Sequence, residues 1–228
     1  MKPTELRTYL YEEANKAMSA AGFNAYPQKA LQGCYSYKIN EGCIGQVTLG
    51  ASPHLGSLNI NPSIGTRLLE VEDLVDRWLP LLPGESKLDR SIGVTLGQNL
   101  GYISSIDKWV TYVTDSTTDI DRALLETMAM LTEFGIPFMQ KHSSLESIYA
   151  AVIRTTTNRT SKPRCSTNNR SEPILHLLMN ENERAYEIIQ KEFLTHLAWD
   201  TSAVPGIHRS YAEHLLEFIE ERKTKSKE

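Results

Sequence analysis

Three successive segments between residues 33 and 61 alternate apolar and polar side chains, and short runs of turn-forming residues separate them. Alternation with a period of two is typical of strands that bury one face. The separators NEG (residues 40–42) and GASPHLG (residues 50–56) favour tight turns. We therefore predict three consecutive antiparallel strands. Their buried faces carry Tyr35, Tyr37 and Ile39, then Cys43, Val47 and Leu49, and finally Leu58 and Ile60.

Apolar residues at helical spacing predict helices on both sides of these strands. The first runs to Gly22, a second covers residues 68–79 and packs Trp78 against the sheet, and a third covers residues 119–134 and stops at Gly135. Ser143 and Glu146 match a capping box for the next helix. SIGVTLG (residues 91–97) and KWVTYVT (residues 108–114) add two strands. The expected fold class is α+β, a mostly antiparallel sheet of about five strands packed with helices.

A change of composition divides the chain. Residues 155–172 are polar, basic and without periodicity, which predicts a loop or linker. Residues 1–154 should form the α+β domain. The last part, residues 173–228, should be a C-terminal helical segment packed on that domain. A chain of 228 residues is long enough for this arrangement.

Glycine and proline recur in residues 50–67, GASPHLGSLNINPSIGTR, which raises the question of a phosphate-binding loop. A Walker-type loop needs G-x-x-x-x-G-K-[ST], whose lysine reaches the outer phosphates. Gly50 and Gly56 are one residue too far apart for that motif, and the stretch contains no lysine. It should be a turn with an edge or bulged strand, in which Pro62 ends the pairing or forces a bulge. No nucleotide or other cofactor is expected.

Residues able to support catalysis or hold a metal are scattered. The six histidines form no metal-binding pair, and His54 in the glycine-rich turn has no cysteine, serine nucleophile motif or carboxylate near it in sequence. Asp115, Asp119 and Asp121 lack the glycine and closing glutamate of a calcium loop, and they suit the start of the following helix. We predict no metal site and no catalytic residues. The cysteines should be reduced thiols without a catalytic role: Cys34, Cys43 and Cys165.

Two charged segments are candidate partner-binding sites. The helix at residues 68–79 carries a solvated acidic face of Glu70, Glu72, Asp73 and Asp76, which would meet a basic partner. The alternative is the basic stretch from Arg154 onward, which contains no acid and could contact phosphate groups. No aromatic residue is interleaved there to stack on bases, so nucleic acid is an unlikely partner. The basic side chains of the loop proposed for binding are Arg159, Lys162, Arg164 and Arg170.

The N-terminus has no apolar stretch of the length that a signal peptide requires, and no window of the sequence is apolar enough for a membrane span. We therefore expect a cytoplasmic protein that does not bind membranes. The formal net charge of −4 is too small to indicate a nucleic-acid partner.

One succession of motifs resembles a known group of sequences. GCIGQVTLG, LNINPSIGTR and VEDLV, followed by LGYIS, WVTY and FGIPFM, are similar to uncharacterised bacterial domains, some of which act as immunity proteins beside secreted or contact-dependent toxins. The resemblance covers residues 42–139 and carries no functional residue. It implies a protein-binding role, in which the partner is a toxin. The acidic face of the helix at residues 68–79 should then lie nearer the contact with the toxin than the basic loop does.

The leading hypothesis is thus a non-catalytic cytoplasmic protein that binds another protein, with neutralisation of a cognate bacterial toxin as its role. Two alternatives remain open. One is an enzyme whose site assembles only in space, with His54 and the acids near Asp115 as candidates. The other is a nucleic-acid-associated protein that uses the basic loop.

Overall fold

The chain forms two compact units that are each discontinuous in sequence. The computed structural model describes residues 1–79, 92–157, 166–167, 170–191 and 207–225. The first unit comprises Met1–Arg67 and Leu96–Ser166, and the second comprises Leu68–Thr95 and Thr167–Glu228. This division differs from the predicted boundaries at residues 154 and 172, because the helix that follows residue 68 groups with the C-terminal helices.

The described residues contain a sheet of seven strands, five of which have three or more residues. The strand order is β1-β2-β3-β4-β5-β7, and β6 pairs with β4. The pairs β1/β2, β2/β3, β4/β5 and β4/β6 are antiparallel, which confirms the predicted α+β class. The strands are β1 Asn24–Ala25, β2 Cys34–Lys38, β3 Cys43–His54, β4 Ser57–Leu68, β5 Leu96–Asn99, β6 Tyr112–Thr114 and β7 Ser166–Thr167.

Nine α-helices lie within the described residues, together with a short 3-10 helix at Lys29–Leu31. The first helix ends where it was predicted to end, since Gly22 has φ +84° and Phe23 N–H donates to the carbonyl of Met18. The α-helices are α1 Pro3–Ala20, α2 Leu69–Trp78, α3 Leu100–Ile103, α4 Thr117–Met130, α5 Ile136–Lys141, α6 Leu145–Thr157, α7 Glu172–Leu178, α8 Asn182–Ile188 and α9 Ile207–Lys225.

The core of the first unit lies between one face of the sheet and helices α1, α4 and α5. Alternate residues of β2, β3 and β4 supply the sheet side, and positions three and four apart supply the helix side. Burial of these side chains is the main favourable term for folding of the unit. The buried cluster includes Leu6, Leu10, Met18, Tyr35, Val47, Leu49, Leu58, Ile60, Ile64, Ile120 and Leu131.

Residues 50–67 form most of a long hairpin rather than a phosphate-binding loop. β3 and β4 each have 12 residues, and only Leu55 and Gly56 connect them. Both connecting residues have positive φ, +44° for Leu55 and +89° for Gly56, as a type I′ turn requires. The strands therefore continue well beyond their predicted ends.

Pro62 does not end the third predicted strand, although an end to the pairing was one of its two expected effects. On one side of β4, Leu58 to Ile60 pair with β6, whereas Ser63 to Thr66 pair with β5. Pro62 falls between these two registers, so its missing N–H removes no bond from either of them.

Replacement of Leu55 by asparagine should stabilise the first unit by about 1 kcal/mol, because asparagine tolerates positive φ far better than leucine and Asn-Gly is the preferred type I′ pair. Thermal unfolding of the full chain checks this. A Leu125→Asn variant is the matched control, since Leu125 is also exposed but lies on α4. An unchanged or lower midpoint for Leu55→Asn would contradict the turn assignment.

The predicted stop at Gly135 is wrong. After α4, residues Leu131–Gly135 form a π-helical turn, and Ile136–Lys141 continue as α5. The wider turn lies just before Pro137, which cannot donate a backbone hydrogen bond to the preceding turn. Gly135 keeps a helical φ of −68°. The chain therefore passes the proline without ending the helix.

The cap of α6 lies one residue later than predicted. Ser147 N–H donates to the Ser144 hydroxyl at 3.3 Å, and Ser144 N–H donates to the Ser147 hydroxyl at 3.1 Å. These reciprocal bonds have the pattern of a capping box. They replace the predicted pair of Ser143 and Glu146, because α6 begins at Leu145.

In the second unit, α2 contacts α7 and α9, and α8 contacts both α7 and α9. The helix predicted to run on from Pro173 is interrupted at residues 179–181, where Asn180 has φ +62°. The buried apolar residues of this unit include Val71, Val75, Ile174, Leu175, Leu177, Ile189, Leu215 and Ile219.

Trp78 is half-buried and packs against the ring of Phe218 on α9 at an interplanar angle of 54°, with ring centroids 4.9 Å apart. This aromatic contact lies within the second unit, and the packing of Trp78 against the sheet stays a prediction. Replacement of Trp78 by alanine should therefore cost about 1–2 kcal/mol, less than the 3–5 kcal/mol typical of a fully buried tryptophan. A double-mutant cycle with Phe218→Ala, measured by urea unfolding, should give coupling of about 0.5–1.5 kcal/mol. Zero coupling would contradict the contact.

Candidate functional site

An exposed tryptophan is fixed in place beside the β4–β6 pair. The indole N–H of Trp109 lies 2.8 Å from the Thr111 hydroxyl and 3.4 Å from Asn61 Oδ1. The Thr111 hydroxyl in turn donates to Asn61 Oδ1 at 2.6 Å. The ring of Tyr102 meets the indole edge-on, at 6.3 Å between centroids. Two polar groups and one ring thus orient this indole.

The side chain of Asn99 closes the loop that presents Trp109. Its Oδ1 accepts from Gly101 N–H at 3.0 Å and from Val110 N–H at 2.9 Å, and its Nδ2 donates to the Val110 carbonyl at 3.0 Å. Within the loop, the Ser104 hydroxyl donates to the Gly101 carbonyl at 2.9 Å. Both ends of the loop are therefore tied to one side chain of β5.

Three apolar side chains of residues 106–113 are exposed, and we call them the Trp109 surface. Ile106 is 43%, Trp109 54% and Val113 64% accessible. Val113 lies opposite Asn59 in the β4–β6 register, and the indole of Trp109 reaches Asn61, two residues further along the same strand. Val113 and the indole therefore lie on the same side of β4.

The charge of this stretch is balanced. Asp107 and Lys108 are exposed and carry opposite charges, and no other residue between 101 and 114 is charged at neutral pH. Contact with another molecule would therefore depend on apolar burial and on hydrogen bonds more than on net charge.

The predicted acidic face of α2 is only partly solvated. Glu70, Asp73 and Asp76 are exposed, as expected. Glu72 is 3% accessible, and its Oε1 accepts hydrogen bonds from the hydroxyls of Thr95 at 2.7 Å and Ser171 at 2.8 Å. Its assignment to a partner-binding face is wrong, because a carboxylate so enclosed serves internal hydrogen bonds.

Tyr211 lies beside the same buried carboxylate. Its hydroxyl donates to the carbonyl of Arg170. Burial raises the pKa of Tyr211 well above its usual value, and the negative charge of Glu72 raises it further. The group is fully enclosed, so this arrangement binds α2, α7 and α9 together through polar contacts and offers no access to a substrate.

The basic loop is largely outside the described residues. Arg159, Lys162 and Arg164 fall within residues 158–165, so their assignment as alternative partner-binding residues stays a prediction. Arg170 is half-buried, and its backbone carbonyl accepts the Tyr211 hydroxyl. Arg154 belongs to α6.

The residues of the enzyme alternative lie at one end of the sheet. His54 is the exposed last residue of β3, and Asp115 follows β6 directly. Within residues 1–79 and 92–157, the structure gives no hydrogen bond or ion pair that joins them. Asp119 instead accepts from the Ser116 hydroxyl at 2.7 Å, which holds the pKa of Asp119 below its usual value. Asp121 accepts from Tyr9 at 2.9 Å.

Cys34 and Cys43 are buried free thiols. Burial raises the pKa of Cys43 to about 11 and also raises that of Cys34, so both are protonated at neutral pH and poor nucleophiles. Cys165 lies outside the described residues. Among the residues that the structure describes, no three His, Cys, Asp or Glu side chains are grouped to hold a metal ion, and no helix is long and apolar enough to cross a membrane.

Comparison with protein-family models, with curated proteins and with solved structures finds no match to this chain.

The sequence did not single out Trp109. The alternation in KWVTYVT places Trp109, Thr111 and Val113 on one face of the predicted strand. Tyr112 and Thr114 occupy the opposite face, and Thr114 is buried. The sequence feature that could have identified Trp109 was therefore a large aromatic residue on the strand face that points away from the core.

Proposed function

We propose that this chain is a protein-binding protein that acts without catalysis, and that its partner docks on the Trp109 surface. The observation that carries the proposal is an indole that is half exposed and yet fixed by Thr111 and Asn61. Tryptophan is among the residues most enriched at the energetic centres of protein interfaces. An anchor that is ordered before binding loses little conformational entropy on association.

The rigidity of the supporting loop favours the same function. Asn99 ties Gly101 to Val110, and Tyr102 contacts the edge of the indole. A tryptophan needed only for the fold would bury its ring, because burial of aromatic area is strongly favourable. Here the hydrogen bonds of the fold keep the ring accessible.

Neutralisation of a toxin is the role that the resemblance to immunity proteins suggests for such a binder. In that case the partner would cover the Trp109 surface, and the exposed acids Glu70, Asp73 and Asp76 would attract a basic partner electrostatically. The two contributions differ in their response to salt. Contact at the Trp109 surface should persist at high ionic strength, whereas attraction by the acids should weaken.

Replacement of Trp109 by alanine should weaken partner binding by about 2–4 kcal/mol, as expected for a central interface anchor. The partner is isolated with the wild-type chain by affinity purification from the native cells, and its affinity for each purified variant is measured by calorimetry. Leu125→Ala is the control, since Leu125 is exposed on α4.

A partner that binds Trp109→Ala as tightly as the wild-type chain would contradict the proposed surface. If Glu70→Lys combined with Asp73→Lys reduced the association rate in low salt and Trp109→Ala had no effect, the acidic residues would be the docking site. The thermal midpoint of each variant shows whether the change is confined to binding.

A further inference from the structure

We infer that the tip of the β3–β4 hairpin is a second anchor of this interface, whose Leu55 side chain enters an apolar pocket of the partner protein. The inference rests on the proposed protein-binding function and adds a different contact to it. Two independent properties of Leu55, its exposure and its backbone conformation, support it.

Leu55 is 95% accessible, more than any other large apolar side chain that the structure describes as exposed. The next residue, Gly56, is also at the open end of the hairpin. A methyl group added at Gly56 would find no heavy atom within 4 Å among the described residues beyond its chain neighbours. The tip therefore projects from the sheet, and Leu55 contributes almost nothing to the core.

The backbone conformation at Leu55 also disfavours leucine. Its φ of +44° lies in the left-handed region, where glycine, asparagine and aspartate are favoured and bulky side chains are strained. Solvent exposure and turn geometry thus both favour a different residue at this position. Strained, exposed residues of this kind are concentrated at functional sites.

The chemistry of the tip indicates the kind of partner. Residues 52–57, Ser-Pro-His-Leu-Gly-Ser, contain no lysine, arginine, aspartate or glutamate. Attraction to an anionic lipid surface requires basic residues, and none is present here. A projecting aliphatic side chain on an uncharged turn is complementary to a concave apolar pocket in a protein.

One partner could contact both anchors. Val113 lies opposite Asn59, and Leu55 is four residues further along the hairpin, a distance of about 13 Å at the usual strand rise. An ordinary protein interface covers about 800 Å² on each partner, which is wide enough to include Leu55 and the Trp109 surface.

The test uses Leu55→Asn in the full chain, because this change should have opposite effects on folding and on binding. Partner affinity should fall at least tenfold, whereas the thermal midpoint of the free protein should rise. Loss of affinity in a more stable protein cannot result from misfolding. Leu125→Asn, the matched exposed leucine on α4, should leave the affinity within twofold of wild type.

A photo-crosslinking amino acid at position 55 identifies the occupant directly. Irradiation in a lysate of the native cells should join it to apolar residues of the same protein that Trp109→Ala binds more weakly, and the same amino acid at position 125 should not. Absence of a cross-link specific to position 55 overturns the inference. So does Leu55-dependent sedimentation with vesicles of phosphatidylcholine and phosphatidylglycerol, which would identify a lipid surface.

The two proposals fail in different ways. If Trp109→Ala reduces affinity and Leu55→Asn does not, the proposed function stands and the hairpin anchor is wrong. If neither variant changes the affinity for the isolated partner, both are wrong.

Discussion

Glu72→Ala should lower the free energy of unfolding by about 3–5 kcal/mol, measured from the urea midpoint of the full chain. The carboxylate accepts hydrogen bonds from the hydroxyls of Thr95 and Ser171, and it is almost fully enclosed. A hydrogen bond to a charged group contributes about 1.5–3 kcal/mol, and each hydroxyl left buried without its acceptor adds a desolvation cost. Glu72→Gln, which keeps an acceptor oxygen, should cost about 1–2 kcal/mol.

The adjacent Asp73 provides the control for this prediction. It lies on the same helix and carries the same charge, but it is exposed. Asp73→Ala should change stability by no more than about 0.5 kcal/mol, as is usual for surface positions. Equal effects of Glu72→Ala and Asp73→Ala would show that Glu72 is solvated, as the sequence had suggested.

The wrong assignment of Glu72 to solvent shows what hydrophobic periodicity in a sequence can and cannot predict. Helix α2 was predicted almost to the residue, because its apolar spacing and the prolines that follow it are strong local signals. Glu72 was assigned to solvent by its charge alone. Its position is nevertheless in the middle of the stripe of buried residues on this helix: Leu68, Val71, Val75 and Leu79.

The hydrogen-bond partners that allow this carboxylate to be buried could not be predicted. Thr95 and Ser171 are 23 and 99 residues away from Glu72 in sequence. No local pattern connects positions so distant, and a buried charge is tolerated only where such partners exist. The boundaries of the two units differ from the predicted ones for the same reason. The grouping of α2 with the C-terminal helices depends on contacts across most of the chain.

The sheet was more predictable than the candidate site. Alternation and turn residues indicated the first strands and the class of the fold, because both are local properties of the sequence. The role of Pro62 depended on where β5 and β6 pair along β4, which is a long-range property. The exposure of Trp109 likewise depends on Asn61, which lies 48 residues away.

Gly101→Ala should destabilise the first unit by about 3 kcal/mol and should also weaken partner binding. A Cβ at Gly101 would lie 2.3 Å from the carbonyl oxygen of Lys108 and 2.4 Å from Val110 Cγ2. Non-bonded heavy atoms do not approach so closely, so the backbone on either side of Trp109 must move. Overpacking of this kind typically costs about 1–3 kcal/mol, and a clash with backbone belongs at the upper end.

The control is Gly50→Ala, because a Cβ at Gly50 would meet its nearest neighbour, the carbonyl oxygen of Asn61, at an ordinary 3.6 Å. That variant should be as stable as the wild type or slightly more so. Thermal unfolding gives the stability of both variants, and calorimetry with the isolated partner gives their affinities at a temperature where each is folded. If folded Gly101→Ala binds the partner with wild-type affinity, displacement of residues 108–110 does not disturb the interface. The pre-organised indole would then not be what the partner recognises.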